Sequence, residues 1–294
     1  MLSVAFFGLG AIGRPMAQRI AAAGFPLVVW NRTAGRASSF AAETGAREAR
    51  SAGDAAATAD VIVTCLSTSA DVEAVLDAGA ADAIRPGALV LDCTSGDPAT
   101  SRRLAKKLSG RSVAFVDAPV SGGVKGAVEG TLTVMCGGDK KDIERARPVI
   151  GAFGKTIVHC GPVGAGDAVK AGNQALLALT ILGTAEVLTA LAKAGVSAEV
   201  ALQVINTSSG RSNASMNLFP ERVLTRAFPR TFRLALMDKD VRIAAQIARD
   251  ERVPAPLTQL AAELCTLAHA ELGEEADHVE AVQVIERWAG ARIS

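Results

Sequence analysis

The sequence predicts a two-part α/β protein: a doubly wound sheet over residues 1–161, then an all-helical domain over residues 162–294. Three observations carry this. Short β-like runs alternate with helix-compatible segments through the first half. The alternation stops at Gly161-Pro-Val-Gly-Ala-Gly166. From Asp167 to about Ala194 the chain is one Ala/Leu-rich helical stretch, with no β-like run after it.

The first run, Leu2–Phe7, has the β-branched and aromatic content of a buried strand. It breaks into glycines at the spacing G-x-G-x-x-G, as Gly8-Leu9-Gly10-Ala11-Ile12-Gly13. Ala17, Ile20, Ala21 and Ala23 then supply the apolar face of a helix. Gly8 permits a tight turn, Gly10 lets a pyrophosphate approach the backbone, and Gly13 allows close helix–strand packing. Free N–H groups at the helix start face the phosphates. Between a strand and a helix, this spacing reads as the fingerprint of a Rossmann dinucleotide fold rather than an ordinary glycine turn.

A second strand, Leu27–Trp30, ends at Asn31-Arg32-Thr33. An NAD site places Asp or Glu there to accept from the ribose 2′-hydroxyl. Here the acid is absent. Arg32 can pair bidentately with a 2′-phosphate, and Asn31 and Thr33 can donate to it. A solvated residue at a helix start is the other reading of Arg32. The sequence therefore puts NADP ahead of NAD.

Further strands are expected at 61–66, 88–92, 113–116, 131–136 and 156–159, with helices over Asp97–Leu108 and Lys140–Phe153. Beyond the long helix, residues 197–207, 233–249, 256–271 and 278–289 read as helical, broken by Gly210, Pro220, Pro229 and Pro254. The long helix is apolar on most sides, through Ala171, Ala175, Leu176, Leu177, Leu179, Ile181, Leu182, Ala185, Val187 and Leu188. Such a helix is buried by its own domain or by a second subunit, and a homodimer or homotetramer is expected.

Two runs carry chemistry. Asp117-Ala-Pro-Val-Ser121-Gly122-Gly123 follows a strand, at the carboxyl edge where open α/β sheets bind ligands. The Ser121 hydroxyl and the backbone N–H groups of Gly122 and Gly123 suit a carboxylate, although a plain strand-end turn uses the same residues. Lys170 sits one turn past Gly166 in an apolar helix. Burial would move a lysine towards neutrality, where it can give or take a proton. Taken alone, a helical lysine is more often a solvated charge. Asn173 and Gln174 lie on or near the same face, able to orient the lysine and bond a substrate oxygen. Arg211, in Ser208-Ser-Gly-Arg-Ser212, reaches a second anionic group or caps a helix.

Composition narrows the classes. Hydrophobic residues make up 49% of the 294, aromatics 4%, and there is no tyrosine, so the core must be aliphatic. With a net charge of +1, nothing marks the whole molecule as a nucleic-acid or acidic-membrane binder, and neither partner is expected. The five cysteines (65, 93, 136, 160 and 265) are scattered and odd in number, which reads as reduced thiols in a cytoplasmic protein. Cys65 and Cys93 are expected as buried thiols near strand ends. His159, His269 and His278 lack metal-ligand spacing, so no metal is expected. No signal peptide precedes the first strand, and no apolar run reads as long and charge-free enough to span a membrane.

The glycine fingerprint with its trailing Arg14-Pro-Met-Ala17, the Asp117–Gly123 run, and Gly164-x-Gly166-x-x-x-Lys170-x-x-Asn173-Gln174 together resemble three signatures of the β-hydroxyacid dehydrogenase family. Asp92-Cys-Thr-Ser95-Gly-Asp-Pro98 and the stretch from Phe232 to Lys239-Asp240 extend the resemblance over nearly the whole chain. The family includes 3-hydroxyisobutyrate dehydrogenase, tartronate semialdehyde reductase and the glyoxylate/succinic semialdehyde reductases. The resemblance implies hydride transfer between a nicotinamide and a short 3-hydroxy acid or its semialdehyde. It implies that Lys170 bonds the reacting oxygen, that Asn173 helps fix it, and that Ser121, Gly122 and Gly123 cradle the carboxylate. Gln174, Phe232 and Asp240 are implied on the substrate side. Leu66, Ser67, Ser95 and Lys239 are implied as cofactor contacts. Thr94-Ser95 stands where many members read Ser-Thr. A glyoxylate or succinic semialdehyde substrate, an imine reductase and a non-catalytic NADPH binder are the alternatives; retention of Lys170 speaks against the last two.

Overall fold

The computed structural model describes residues 1–33 and 35–293; Ala34 and Ser294, which fall within the two expected domains, lie outside them. The chain divides into two compact units, Met1–Lys170 and Ala171–Ser294.

In the first unit the elements run β1 (Val4–Phe7), α1 (Gly13–Ala22), β2 (Leu27–Trp30), α2 (Arg36–Thr44), β3 (Arg47–Glu48), α3 (Ala52–Ala56), β4 (Val61–Thr64) and α4 (Ser69–Val75). A π-helical turn (Leu76–Ala80) leads to α5 (Ala81–Ala83), β5 (Leu89–Asp92), α6 (Pro98–Ser109), β6 (Ala114–Asp117), β7 (Val120–Ser121), α7 (Gly123–Glu129), β8 (Leu132–Gly137), α8 (Lys140–Ile150) and β9 (Gly154–Gly161). The sheet order is β3-β2-β1-β4-β5-β6-β8-β7, with β9 on β8.

Alternation along each strand assigns the two faces. Val4, Phe6, Val61, Val63, Leu89 and Leu91 pack with Met16, Ile20, Phe40 and Ile143 of α1, α2 and α8. Ala5, Phe7, Ile62 and Val90 pack with Ala55, Val72 and Leu104 of α3, α4 and α6. Both faces are covered, which is why these strands read as continuous apolar runs.

The sheet is not parallel throughout, as alternation alone had implied. The strands from β3 to β6 are parallel, but β8 meets β6 and β7 antiparallel. Only residues 122–131 connect β7 to β8, which is short for a parallel crossover.

Helix α9 (Ala165–Lys193) starts in the first unit and continues into the second, which adds α10 (Ala198–Thr207), a π-helical segment (Ala214–Val223), α11 (Leu234–Asp250), α12 (Pro256–Leu272), a 3₁₀ turn (His278–Ala281) and α13 (Val282–Ala289). Its core gathers Ala178, Ile181, Ala185 and Leu188 of α9 with Phe219, Val241, Cys265 and Val282. Pro220, expected to break a helix, lies inside the π-helical segment, where the Leu224 N–H reaches back to the Phe219 carbonyl at 3.0 Å. The wider turn accommodates a residue with no N–H to give.

The expectation of no membrane-length apolar run needs correction. An 18-residue window of α9 has a mean hydropathy of 1.9, and by length and composition the helix suffices to cross a membrane. Asp167, Lys170 and Lys193 stand near its ends and only Glu186 lies deep within it. In the structure 39% of that window is buried, so much of an apolar helix stays uncovered within one chain.

Candidate active site

Pairing register lines up the carboxyl ends of five strands. Phe7 stands opposite Trp30 and Thr64, Thr64 opposite Asp92, and Asp92 opposite Asp117. The segments that follow therefore share one edge: the glycine loop, Asn31–Thr33, Leu66–Ser67, Ser95, and the chain leading to Ser121.

In the glycine loop two of the three fingerprint glycines answer to the protein itself. Gly8 has φ +101°, and a Cβ there would stand 2.3 Å from the Cys65 carbonyl oxygen. A Cβ at Gly13 would stand 2.0 Å from the Gly8 carbonyl oxygen. Gly10 meets nothing within 4 Å, which leaves room above the loop. That fits a dinucleotide whose phosphates approach the loop. No side chain caps α1. Leu9 buries its side chain in the sheet core, while Ala11 is exposed and Ile12 half-buried.

Asn31 does something the sequence did not suggest. Its Oδ1 accepts the Leu9 N–H at 2.8 Å and its Nδ2 donates to the Thr33 carbonyl at 3.1 Å. It braces the end of β2 against the loop that follows β1. The Arg32 side chain is 80% exposed and pairs with Asp71 at 2.9 Å. An exposed pair of this kind contributes at most about 1 kcal/mol, so the guanidinium can exchange partners. Thr33 is exposed.

Buried Asp92 stitches the next two strand ends. Its Oδ1 accepts the Thr64 hydroxyl at 2.7 Å and the Thr94 N–H at 3.0 Å, and the Thr94 hydroxyl accepts the Leu66 N–H at 3.0 Å. Thr94 is thus the structural hydroxyl, while Ser95 is half-buried and Ser67 exposed. Cys65 and Cys93 flank this seam, and burial pushes the Cys65 thiol up to about 12.

Ser121 is half-buried and lies in β7, paired with Thr133, rather than in a simple turn. Gly122 (φ +133°) and Gly123 (φ +64°) follow it, both exposed and both in the left-handed region that favours glycine.

Lys170 is 8% exposed, near the start of α9. That start is pressed onto β8: a Cβ at Gly166 would stand 2.2 Å from the Met135 carbonyl oxygen. Two buried carboxyls lie beside it. Asp117 Oδ1 accepts the Gly164 N–H at 2.7 Å, and its Oδ2 accepts the Asp167 N–H at 3.0 Å. Burial pushes Asp117 up to about 6 against the pull of those donors. Burial, then the charges of Asp117 and Asp92, push Asp167 well above the ordinary carboxyl range. For Asp117 the signal in the sequence is an acid ending an apolar strand; Asp167, in the first turn of α9, carries none.

In the second unit, Asn173 is exposed and donates to the Oε1 of buried Gln174 at 3.1 Å. Lys239 pairs with buried Asp240 at 2.9 Å on α11. Phe232 packs edge-on against His278 at 5.5 Å, and its N–H donates to Asp277 at 3.1 Å. Burial works against the Asp277 carboxylate, yet bonds from His278, Phe232 and Thr231 hold it well below the usual range. Phe232 thus belongs to a structural knot. Arg211 is exposed; Ser212 and Ser215 serve the local backbone, the Ser215 N–H donating to the Ser212 hydroxyl at 3.1 Å. Among the described residues, no group of three or more His, Cys, Asp or Glu could hold a metal.

Comparison with known proteins bears on both halves. Residues 3–161 match the NAD-binding domain of 6-phosphogluconate dehydrogenase, and residues 164–285 match the NAD-binding region of NADP-dependent 3-hydroxyisobutyrate dehydrogenase. The NAD-dependent L-serine dehydrogenase of Pseudomonas aeruginosa is 37% identical over 91% of this chain and 92% of its own. The 2-(hydroxymethyl)glutarate dehydrogenase of Eubacterium barkeri is 33% identical over 100% of this chain and 98% of its own. A structure of Mycobacterium tuberculosis 3-hydroxyisobutyrate dehydrogenase with L-serine aligns with a TM-score of 0.89 and 32% identity, covering 97% of this chain and 99% of that one.

Proposed function

Because the chain belongs to the β-hydroxyacid dehydrogenase family, and so is a nicotinamide-dependent oxidoreductase acting on CH–OH donors, we propose that it prefers NADP and interconverts a short 3-hydroxy acid with its semialdehyde, Lys170 moving the hydroxyl proton. The observation that carries this reading is Lys170 itself, a lysine 8% exposed in the unit whose sheet edge bears the glycine loop and Ser121.

The compounds named for the relatives suggest the substrate class. L-Serine, 3-hydroxyisobutyrate and 2-(hydroxymethyl)glutarate share a primary alcohol on the carbon next to the one bearing the carboxylate, and differ in a third substituent. The Ser121 hydroxyl and the N–H groups of Gly122 and Gly123 would take the shared carboxylate. The glycine loop and the start of α1 would hold the dinucleotide, which supplies a hydride donor or acceptor when bound. Neutral Lys170 accepts the hydroxyl proton in oxidation, and its ammonium form returns the proton in reduction. Preference for NADP rests on Arg32 standing where an acid would serve NAD. The uncovered flank of α9, with Leu176 and Val187 exposed, supports a homo-oligomer; sedimentation as a monomer would sink that part.

The test is turnover of these three hydroxy acids with NADP and NAD in parallel, beside Lys170→Ala. Turnover lost in the variant, with NADP still bound, supports the reading. A variant that keeps turnover, or that fails only by losing cofactor, overturns it.

A further inference from the structure

The start of α9 is held by a chain of hydrogen bonds through three other parts of the first unit. Asp117, the last residue of β6, takes the N–H groups of Gly164 and Asp167. Asp167 sends its own carboxyl elsewhere: Oδ1 accepts the Gly96 N–H at 3.1 Å, and Oδ2 accepts the Ser101 hydroxyl at 2.6 Å. Gly96 directly follows Ser95, Ser101 lies on α6, and Lys170 is three residues beyond Asp167 on α9. The strand that leads to Ser121, the turn that carries Lys170 and the loop that carries Ser95 are therefore tied through two carboxyls.

Space has been cleared for them. A Cβ at Gly137 would stand 2.5 Å from Asp117 Oδ1. A Cβ at Gly96 would stand 3.3 Å from both Asp167 oxygens. Asp117 is 0% exposed and Asp167 1%. Two acids buried side by side work against stability, because desolvation and mutual repulsion both oppose charge. A like-sized apolar pair would avoid that penalty but could not hold four donors at once.

We propose that Asp167, backed by Asp117, is a positioning residue for the reaction: it sets the Lys170 turn of α9 against the loop carrying Ser95. It touches neither the substrate nor the reacting atoms. The inference rests on Lys170 as the proton-transfer group. Burial pushes the Asp167 carboxyl towards its neutral form, so an uncharged amide of the same size is the conservative replacement. In Asp167→Asn the carboxamide oxygen keeps the Gly96 N–H, and its NH₂ donates to a Ser101 hydroxyl turned to accept. Asp167→Ala loses both bonds.

The experiment compares Asp167→Ala, Asp167→Asn and the milder Ser101→Ala on the full-length enzyme. It reads kcat and KM for the best of the three hydroxy acids, the NADP Kd, and amide hydrogen exchange over residues 164–170. For Asp167→Ala we expect kcat to fall about a hundredfold, the scale of an ångström-level misplacement, with KM and Kd within about threefold. Exchange over 164–170 should speed up. Asp167→Asn should restore kcat and protection to near wild type, and Ser101→Ala should fall between. Unchanged kcat and unchanged protection in Asp167→Ala overturn the proposal. So does an Asp167→Asn variant as impaired as the alanine. The exchange readout does not depend on Lys170 chemistry, so failure of the lysine reading would appear separately, as turnover surviving Lys170→Ala.

Discussion

Two glycine-lined places on the same sheet edge are built on opposite plans. In the loop after β1, Gly8 and Gly13 make room for the chain's own backbone, while Gly10 faces open space. At the start of α9, Gly96, Gly137 and Gly166 make room for buried carboxyls and the strand beneath them. The first arrangement leaves space at Gly10 for something that arrives; the second fills its space from within the protein. A binding loop and a structural tie can therefore share a residue type and an edge of the fold, and only the partner of the missing side chain tells them apart.

Substitutions within the first loop test that difference most severely. Gly13→Ala drives a methyl into a backbone oxygen that cannot step aside. It should destabilise the protein by about 3 kcal/mol or more, at the upper end of ordinary point mutations, and a chemical-denaturation midpoint would register it. Gly10→Ala meets nothing in the protein and should leave that midpoint nearly unchanged while weakening NADP binding at least tenfold. Equal effects of the two would erase the distinction.

The tie at α9 has its own signature in pH. Native Asp117 holds its proton up to about 6, whereas the unfolded chain releases it near the ordinary value of 3.8. Between those limits the folded state binds more protons, so this group's contribution to stability falls as pH rises from about 4 to 6. The loss is at most about 3 kcal/mol. Asp117→Asn should flatten that window. It should also lower stability throughout by about 1–3 kcal/mol, since a carboxamide accepts from only one of the two N–H groups. A denaturation series from pH 4 to 7 that keeps the wild-type slope would refute the assignment.

The smallest effect on folding belongs to Arg32→Glu, which changes an exposed surface pair. Stability should move by less than about 1 kcal/mol. The ratio of NADP to NAD affinity should drop at least tenfold, because an acid repels the 2′-phosphate and accepts from the 2′-hydroxyl. Equal losses for both dinucleotides would remove Arg32 from cofactor choice.

The same contrast explains what the sequence made legible. The glycine loop lies within six consecutive residues, and its strand and helix announce themselves by apolar period. Helix α9 was as plain, although its uncovered flank was not. Asp117 and Asp167 meet Gly96, Ser101 and Gly164 only after the strands are stacked, and no local pattern foretells that. β3 and β7 have two residues each, too short for any period to show. Phe232 meets Asp277 and His278 through bonds some 45 residues apart, which no local pattern foretells. Antiparallel entry of β8 depended on a connection length that alternation does not weigh.

The brace at Asn31 has a consequence for how coenzyme preference can change. One side chain both shapes the glycine loop, through the Leu9 N–H, and closes the turn after β2, through the Thr33 carbonyl, beside Arg32. Aspartate keeps the acceptor for the Leu9 N–H but has no amide to give the Thr33 carbonyl, so Asn31→Asp would hold the glycine loop while loosening the turn at Thr33. Loop geometry and the residue that follows β2 are therefore coupled, and any change of side chain there reshapes the turn as well as the ground a coenzyme meets.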